Sequence, residues 1–131
     1  EARLEGVLVS EMAAPGVDCI LGAKVDPVFG PMVLFGIGGV FTEVFSDVVL
    51  RHAPVSPETA RTMIDGLQGS ALLKGARGAT PCDLDALADA ISRFSGVAAA
   101  PADQIASAEI NPLRAYPDRC LGLDALIIKS E

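Results

Sequence analysis

Ala108-Glu109-Ile110-Asn111-Pro112-Leu113, a break at Tyr116-Pro117-Asp118-Arg119, and Leu121-Gly122-Leu123-Asp124-Ala125-Leu126-Ile127-Ile128 read as the two arms of one antiparallel hairpin. Polar and apolar residues alternate through Glu109, Ile110 and Asn111, as in a half-buried strand. Proline presets φ at the corner and aspartate tolerates the next position, so Pro117-Asp118 is a turn signal. Folding about that turn makes Tyr116 face Arg119, which brings Asn111 opposite Asp124 and Glu109 opposite Leu126. Directly opposed side chains share a face at roughly 5 Å between Cβ atoms. Glu109, Asn111 and Asp124 then form an oxygen-rich patch, unless a bulge shifts the register. A hard divalent cation such as magnesium is held by one or two carboxylates, with water and substrate phosphate completing its shell. The same residues also fit a plainer reading, in which Asn111-Pro112 ends a strand and Asp124 is a satisfied polar group.

Size and composition narrow the classes. The chain has 131 residues, half of them hydrophobic and only 5 % aromatic, with no tryptophan. Its core must be built from Val, Leu, Ile and Ala, and the length suits one domain. A net charge of −7 argues against a nucleic-acid backbone as partner. It leaves room for a nucleotide pocket in which a metal supplies the positive charge. No apolar run has the length of a membrane span. Cys19, Cys82 and Cys120 are odd in number and widely spaced, which fits free thiols in a reducing cytoplasm. The first residue is Glu1 and an apolar run follows at once, so the chain is expected to be a piece of a longer polypeptide.

Strands are expected at 6–12, 17–25, 32–35 and 48–52, with a short segment at Val40-Phe41-Thr42-Glu43-Val44. Ser56-Pro57-Glu58 starts a helix, with Ser56 as cap, proline at the first position and acid in the first turn. Residues 68–80 are glycine-rich and basic. A second helix is expected from about Cys82 to Val97, with Leu84, Leu87, Ala88, Ile91, Phe94 and Ser95 on one stripe. Four strands, two helices and a closing hairpin make an α+β fold, a mostly antiparallel sheet with two helices packed on one face. The whole of 1–131 is expected to be a single domain.

Several further stretches appear in a familiar order: Val9-Ser10-Glu11-Met12, Gly22-Ala23-Lys24-Val25-Asp26-Pro27-Val28-Phe29-Gly30-Pro31, Phe35-Gly36-Ile37-Gly38-Gly39, Arg51-His52-Ala53-Pro54 and Leu72-Leu73-Lys74-Gly75-Ala76-Arg77-Gly78. With Glu109-Ile110-Asn111-Pro112-Leu113 and Asp124, this set resembles the C-terminal half of the ATP-grasp domain of ADP-forming acyl-CoA synthetases. Those enzymes are related to the β-subunit of succinyl-CoA synthetase. The resemblance covers essentially the whole chain and marks it as the C-terminal ATP-grasp subdomain of a longer protein.

The resemblance implies an acid–thiol ligase that interconverts acyl-CoA, ADP and phosphate with a carboxylic acid, CoA and ATP through phosphohistidine. It implies that Asn111 and Asp124, with Glu109 beside them, hold Mg2+ bound with ATP or ADP. It implies that Glu11 and the Met12 backbone form the adenine hinge and that Asp18 contacts ribose. Arg51 either faces the transferred phosphate or makes a surface ion pair. Gly36-Ile37-Gly38-Gly39 is either a sharp turn or a ligand contact, and it is not a Walker loop, since no Gly-Lys-Ser or Gly-Lys-Thr follows. Lys74 and Arg77 read as solvated charge, and His52, the lone histidine, as a strand residue. The expected partners are ATP or ADP and the CoA-binding domains or subunit of the parent, with no nucleic acid and no membrane. Two rivals are the regulatory ATP-grasp portion of a protein acetyltransferase and a non-catalytic interaction module. The fragment alone is expected to be inactive.

Overall fold

In the computed structural model, residues 3, 5–38, 47–99 and 104–130 are described. Six strands form one sheet: β1 Val17–Asp26, β2 Gly30–Ile37, β3 Val48–His52, β4 Ile105–Ala115, β5 Cys120–Gly122 and β6 Ala125–Lys129. The sheet order is β3-β2-β1-β4-β5, with β6 also on β4, and each strand pairing is antiparallel. Between β3 and β4 lie α1 Pro57–Asp65, the one-turn α2 Ser70–Leu73 and α3 Leu84–Ala99.

The core follows from strand alternation. Cys19, Leu21, Val33, Phe35, Leu113 and Ala115 point to one face and meet Met63 and Ile64 of α1 and Leu87 and Ile91 of α3. Both long helices are therefore on the same side of the sheet. Their starts are capped by side chains. Ser56 Oγ accepts from the Thr59 N–H at 3.2 Å, with Pro57 at the head of α1 and Gly66 after its end. The Asp83 carboxylate accepts from the N–H groups of Asp85 and Ala86, so α3 starts two residues later than expected and leaves Cys82 outside. Asp47 is a buried acid that reading the sequence did not single out. Its two oxygens accept from the backbone N–H groups of Gln68 and Gly69, tying the entry to β3 to the turn after α1. At the β1–β2 corner, Asp26 accepts from the N–H groups of Val28 and Phe29, which holds its carboxyl below the usual carboxylate range.

Two expectations fail. Residues 6–12 are apolar enough for a strand but pair with nothing among the described residues, and Val7, Leu8 and Val9 are about 90 % exposed. A strand needs a neighbour to take its N–H and C=O groups, and hydrophobic composition alone does not supply one. The distal arm of the hairpin is also not one strand: Leu123 and Asp124 interrupt it between β5 and β6. The short segment at 40–44 lies outside the described residues. Among the described residues no helix is long and apolar enough to cross a membrane.

Ser95 is fully buried on α3; its Oγ accepts from the Val55 N–H at 2.9 Å and donates to the Ser92 carbonyl at 2.6 Å. Ser95→Ala leaves that buried N–H without its acceptor, so urea unfolding should show a loss of roughly 1–3 kcal/mol. Burial, with the neighbouring Cys82 second, pushes the Cys19 thiol up to about 12. A raised thiol pKa contributes stability that is complete below the unfolded value, roughly 8.5, and is lost as pH rises toward 12. Melting temperature should fall between pH 9 and pH 11 on that account, and Cys19→Val should flatten the fall.

Candidate nucleotide and metal site

Among the described residues, the sheet face opposite the helices is left uncovered. Ile20, Met32, Leu34, Leu50, Leu126 and Ile128 line an apolar groove of about 320 Å³ on it, with Glu109 at its border. An uncovered sheet face of this composition is what an aromatic ring or a second layer of protein would cover.

The hairpin register is the one that the turn dictates. The Tyr116 N–H donates to the Arg119 carbonyl at 2.8 Å across Pro117-Asp118, and Leu113 pairs with Gly122 and Glu109 with Leu126. Between these pairs the Asn111 N–H donates to the Asp124 carbonyl at 3.1 Å, so Asn111 and Asp124 are directly opposed. Asn111 Nδ2 donates to Glu109 Oε1 at 2.9 Å, which joins the two side chains on the open face. That hydrogen bond turns the amide oxygen of Asn111 away from Glu109, where it remains an acceptor. Asp124 lies in the break between β5 and β6, and its Oδ1 accepts from the Ala125 N–H at 2.8 Å. The structure thus sets Glu109 and Asn111 side by side, with the backbone of Asp124 opposite Asn111 across the hairpin. Two carboxylates and one amide oxygen fit the protein share of a magnesium shell. Among the described residues no three of His, Cys, Asp and Glu gather into a possible metal cage.

Pro112 shapes the site through what it lacks. Having no N–H, it cannot donate to the β1 ladder. The β1–β4 register shifts there: Cys19 faces Leu113 and Leu21 faces Ile110, so Ile20 opposes both Asn111 and Pro112. The extra residue reverses the alternation. Ile110 and Leu113 both face the core, while Asn111 and Arg114, three positions apart, both face away from it. Arg114 was invisible to a strict two-residue count; the signal that points to it is the proline inside a strand.

Arg114 takes hold of Asp18. Nε donates to Oδ1 at 2.6 Å and Nη2 to Oδ2 at 3.0 Å, a bidentate pair on half-buried side chains. Glu11 and Met12 lie on the exposed segment that leads into this end of β1, with Met12 91 % exposed. Gly38 comes close to the same place, its N–H donating to the Asp18 carbonyl at 2.7 Å; Gly39 lies outside the described residues. Arg51 is not brought to the patch. It pairs with Val33, whose side chain is in the core, so Arg51 projects from the helix side of the edge strand, and its Nη1 donates to the Leu50 carbonyl. Lys74, read from the sequence as solvated, is tied to Asp65 at 2.8 Å. His52 meets Phe29 edge to face at 6.5 Å between ring centroids and has no place in the patch.

The model of the ATP-grasp domain family matches residues 1–128. This chain belongs to the ATP-grasp family. The β-subunit of an ADP-forming acetate–CoA ligase I of Pyrococcus furiosus is 41 % identical over 128 residues, covering 98 % of this chain and 55 % of that subunit. An ADP-forming acetate–CoA ligase I of Archaeoglobus fulgidus is 37 % identical over all 131 residues, which make up 19 % of it. The chain thus spans about half the length of one relative and about a fifth of the other. Among solved structures, a dinucleotide-forming acetyl-coenzyme A synthetase 1 of Ca. Korarchaeum cryptofilum, in complex with coenzyme A and Mg-AMPPCP, superposes with a TM-score of 0.84 at 44 % identity. That match covers 89 % of this chain and 55 % of the other, and the mostly antiparallel sheet with helices on one face is the shared fold.

Proposed function

We propose that this chain is the metal-bearing wall of the nucleotide site in an ADP-forming acyl-CoA synthetase. The parent would interconvert acyl-CoA, ADP and phosphate with a carboxylic acid, CoA and ATP by way of phosphohistidine. The observation that carries the reading is the hydrogen-bonded pair Glu109 and Asn111 beside the apolar groove, with Asp124 opposite Asn111 across the hairpin. Its support is a likeness along nearly the whole of this chain to part of enzymes named as ADP-forming acetate–CoA ligases, and to part of an acetyl-coenzyme A synthetase solved with coenzyme A and Mg-AMPPCP.

In this reading 1–131 is one unit, the C-terminal ATP-grasp subdomain, and the CoA-binding and phosphohistidine parts belong to other segments or subunits of the parent. Glu109, Asn111 and Asp124 would hold Mg2+ with ATP or ADP. When bound, that ion neutralises charge between the β- and γ-phosphates. The Glu11 side chain and Met12 backbone would receive adenine, whose ring has the apolar groove to cover, and Asp18 would orient ribose. Arg51 is left out of the set because it projects from the opposite face. The three free thiols fit a reducing compartment such as the cytoplasm.

Asp124→Asn in the full-length parent keeps size and removes one negative charge from the patch. Turnover should fall by at least about 100-fold, comparable to losing a major electrostatic stabiliser, while the melting temperature changes little. Normal turnover with unchanged magnesium dependence would take Asp124 out of the site. The isolated fragment offers only one wall, and tight binding needs most of the ligand surface buried. Calorimetric titration of the fragment with MgATP should therefore detect weak binding or none; micromolar affinity would contradict the one-wall description.

A further inference from the structure

We propose that Arg114 is a positioning residue of the nucleotide site, holding the Asp18 carboxylate and the turn before it at a fixed distance from Glu109 and Asn111. The inference rests on the nucleotide-site reading above and adds a residue to it. One side chain makes three attachments. The guanidinium fork grips both oxygens of Asp18 at 2.6 and 3.0 Å, and Nη1 donates to the Ala14 carbonyl at 3.1 Å. The same carbonyl accepts from the Tyr116 hydroxyl at 2.8 Å. The turn is pressed onto β4 as well: a Cβ on Gly16 would stand 2.8 Å from the Ala115 carbonyl oxygen and from Cγ of Arg114.

Geometry says what this clamp serves. Residues 6–12 form no strand pairing among the described residues, so the segment bearing Glu11 and Met12 is anchored to the sheet where Ala14 and Asp18 are held. Arg114 stands on the strand that carries Glu109 and Asn111, three residues beyond Asn111, or roughly 10 Å along β4. The bulge at Pro112 puts it on their face. One rigid strand therefore sets the spacing between the metal patch and the hinge end. With Asp18 engaged on both oxygens, the carboxylate is held in a single orientation, and each oxygen retains a lone pair for a donor from the ligand. Lysine is a point charge and cannot reproduce a two-pronged grip.

The test uses the full-length protein. MgADP affinity, the nucleotide KM, kcat and the melting temperature are measured for wild type, Arg114→Gln, Arg114→Lys, Asp18→Asn and the double variant Arg114→Gln/Asp18→Asn. Arg114→Gln should weaken MgADP and raise the nucleotide KM by about tenfold, the scale of one hydrogen bond to a charged group, with kcat within about threefold. Asp18→Asn should do the same, and the double variant should be no worse than either single one, because both act through one contact. Arg114→Lys, which keeps the charge, covers the case in which the glutamine variant does not fold, and should show the same KM effect at reduced size. Unchanged MgADP affinity and KM beside a lowered melting temperature would overturn the positioning role and leave the nucleotide-site reading standing. Additive effects in the double variant would also overturn it. A wild-type protein that binds no MgADP would overturn both.

Discussion

The constraint on which the site depends is a missing hydrogen-bond donor in the central strand β4. Pro112 has no N–H to give to β1, so the ladder between the two strands slips by one residue there. On one side of the slip β4 turns Glu109 and Asn111 outward; on the other it turns Arg114 outward. Without the slip, alternation would send Arg114 into the helix-packed core, where an unpaired guanidinium would be costly. The same proline that interrupts the ladder therefore makes room for both polar groups on one face.

Each helix contributes to that arrangement from a distance. Both long helices cover the same face of the sheet, and the residues they bury are small or aliphatic, apart from Phe35 and Met63. Among the described residues nothing covers the other face, and Leu50, Leu126 and Ile128 are exposed at its surface. A face of that kind is costly in water unless something covers it. Under the proposed function a nucleotide base and a second wall of protein would cover it, with Glu109 and Asn111 near the charged end of that ligand.

The acids of the chain divide by what engages them. Asp26, Asp47 and Asp83 spend their oxygens on backbone N–H groups and fix a corner, a turn and a helix start. Asp18 is spent on Arg114. Glu109 is turned to Asn111, and Asp124 accepts only from the residue after it.

The helix start at Ser56, the strands around Leu21 and Phe35, the turn at Pro117-Asp118 and the opposition of Asn111 to Asp124 were all legible in the sequence, because each rests on a local rule of capping, alternation or turn geometry. The register behind the proposed metal patch was legible for the same reason, since it is counted from one turn. Tertiary structure decided the rest. Only neighbours determine whether an apolar run such as residues 6–12 becomes a strand, and none of the described residues pairs with it. Arg51 looked suited to phosphate, yet its pairing with Val33 sends it to the far side of the sheet. Arg114 looked bound for the core by alternation, and a bulge in a ladder with β1, nearly a hundred residues earlier in the chain, turned it to Asp18. Local rules determine elements and turns, but which face a side chain finally occupies depends on hydrogen bonds with strands that only the folded chain brings alongside.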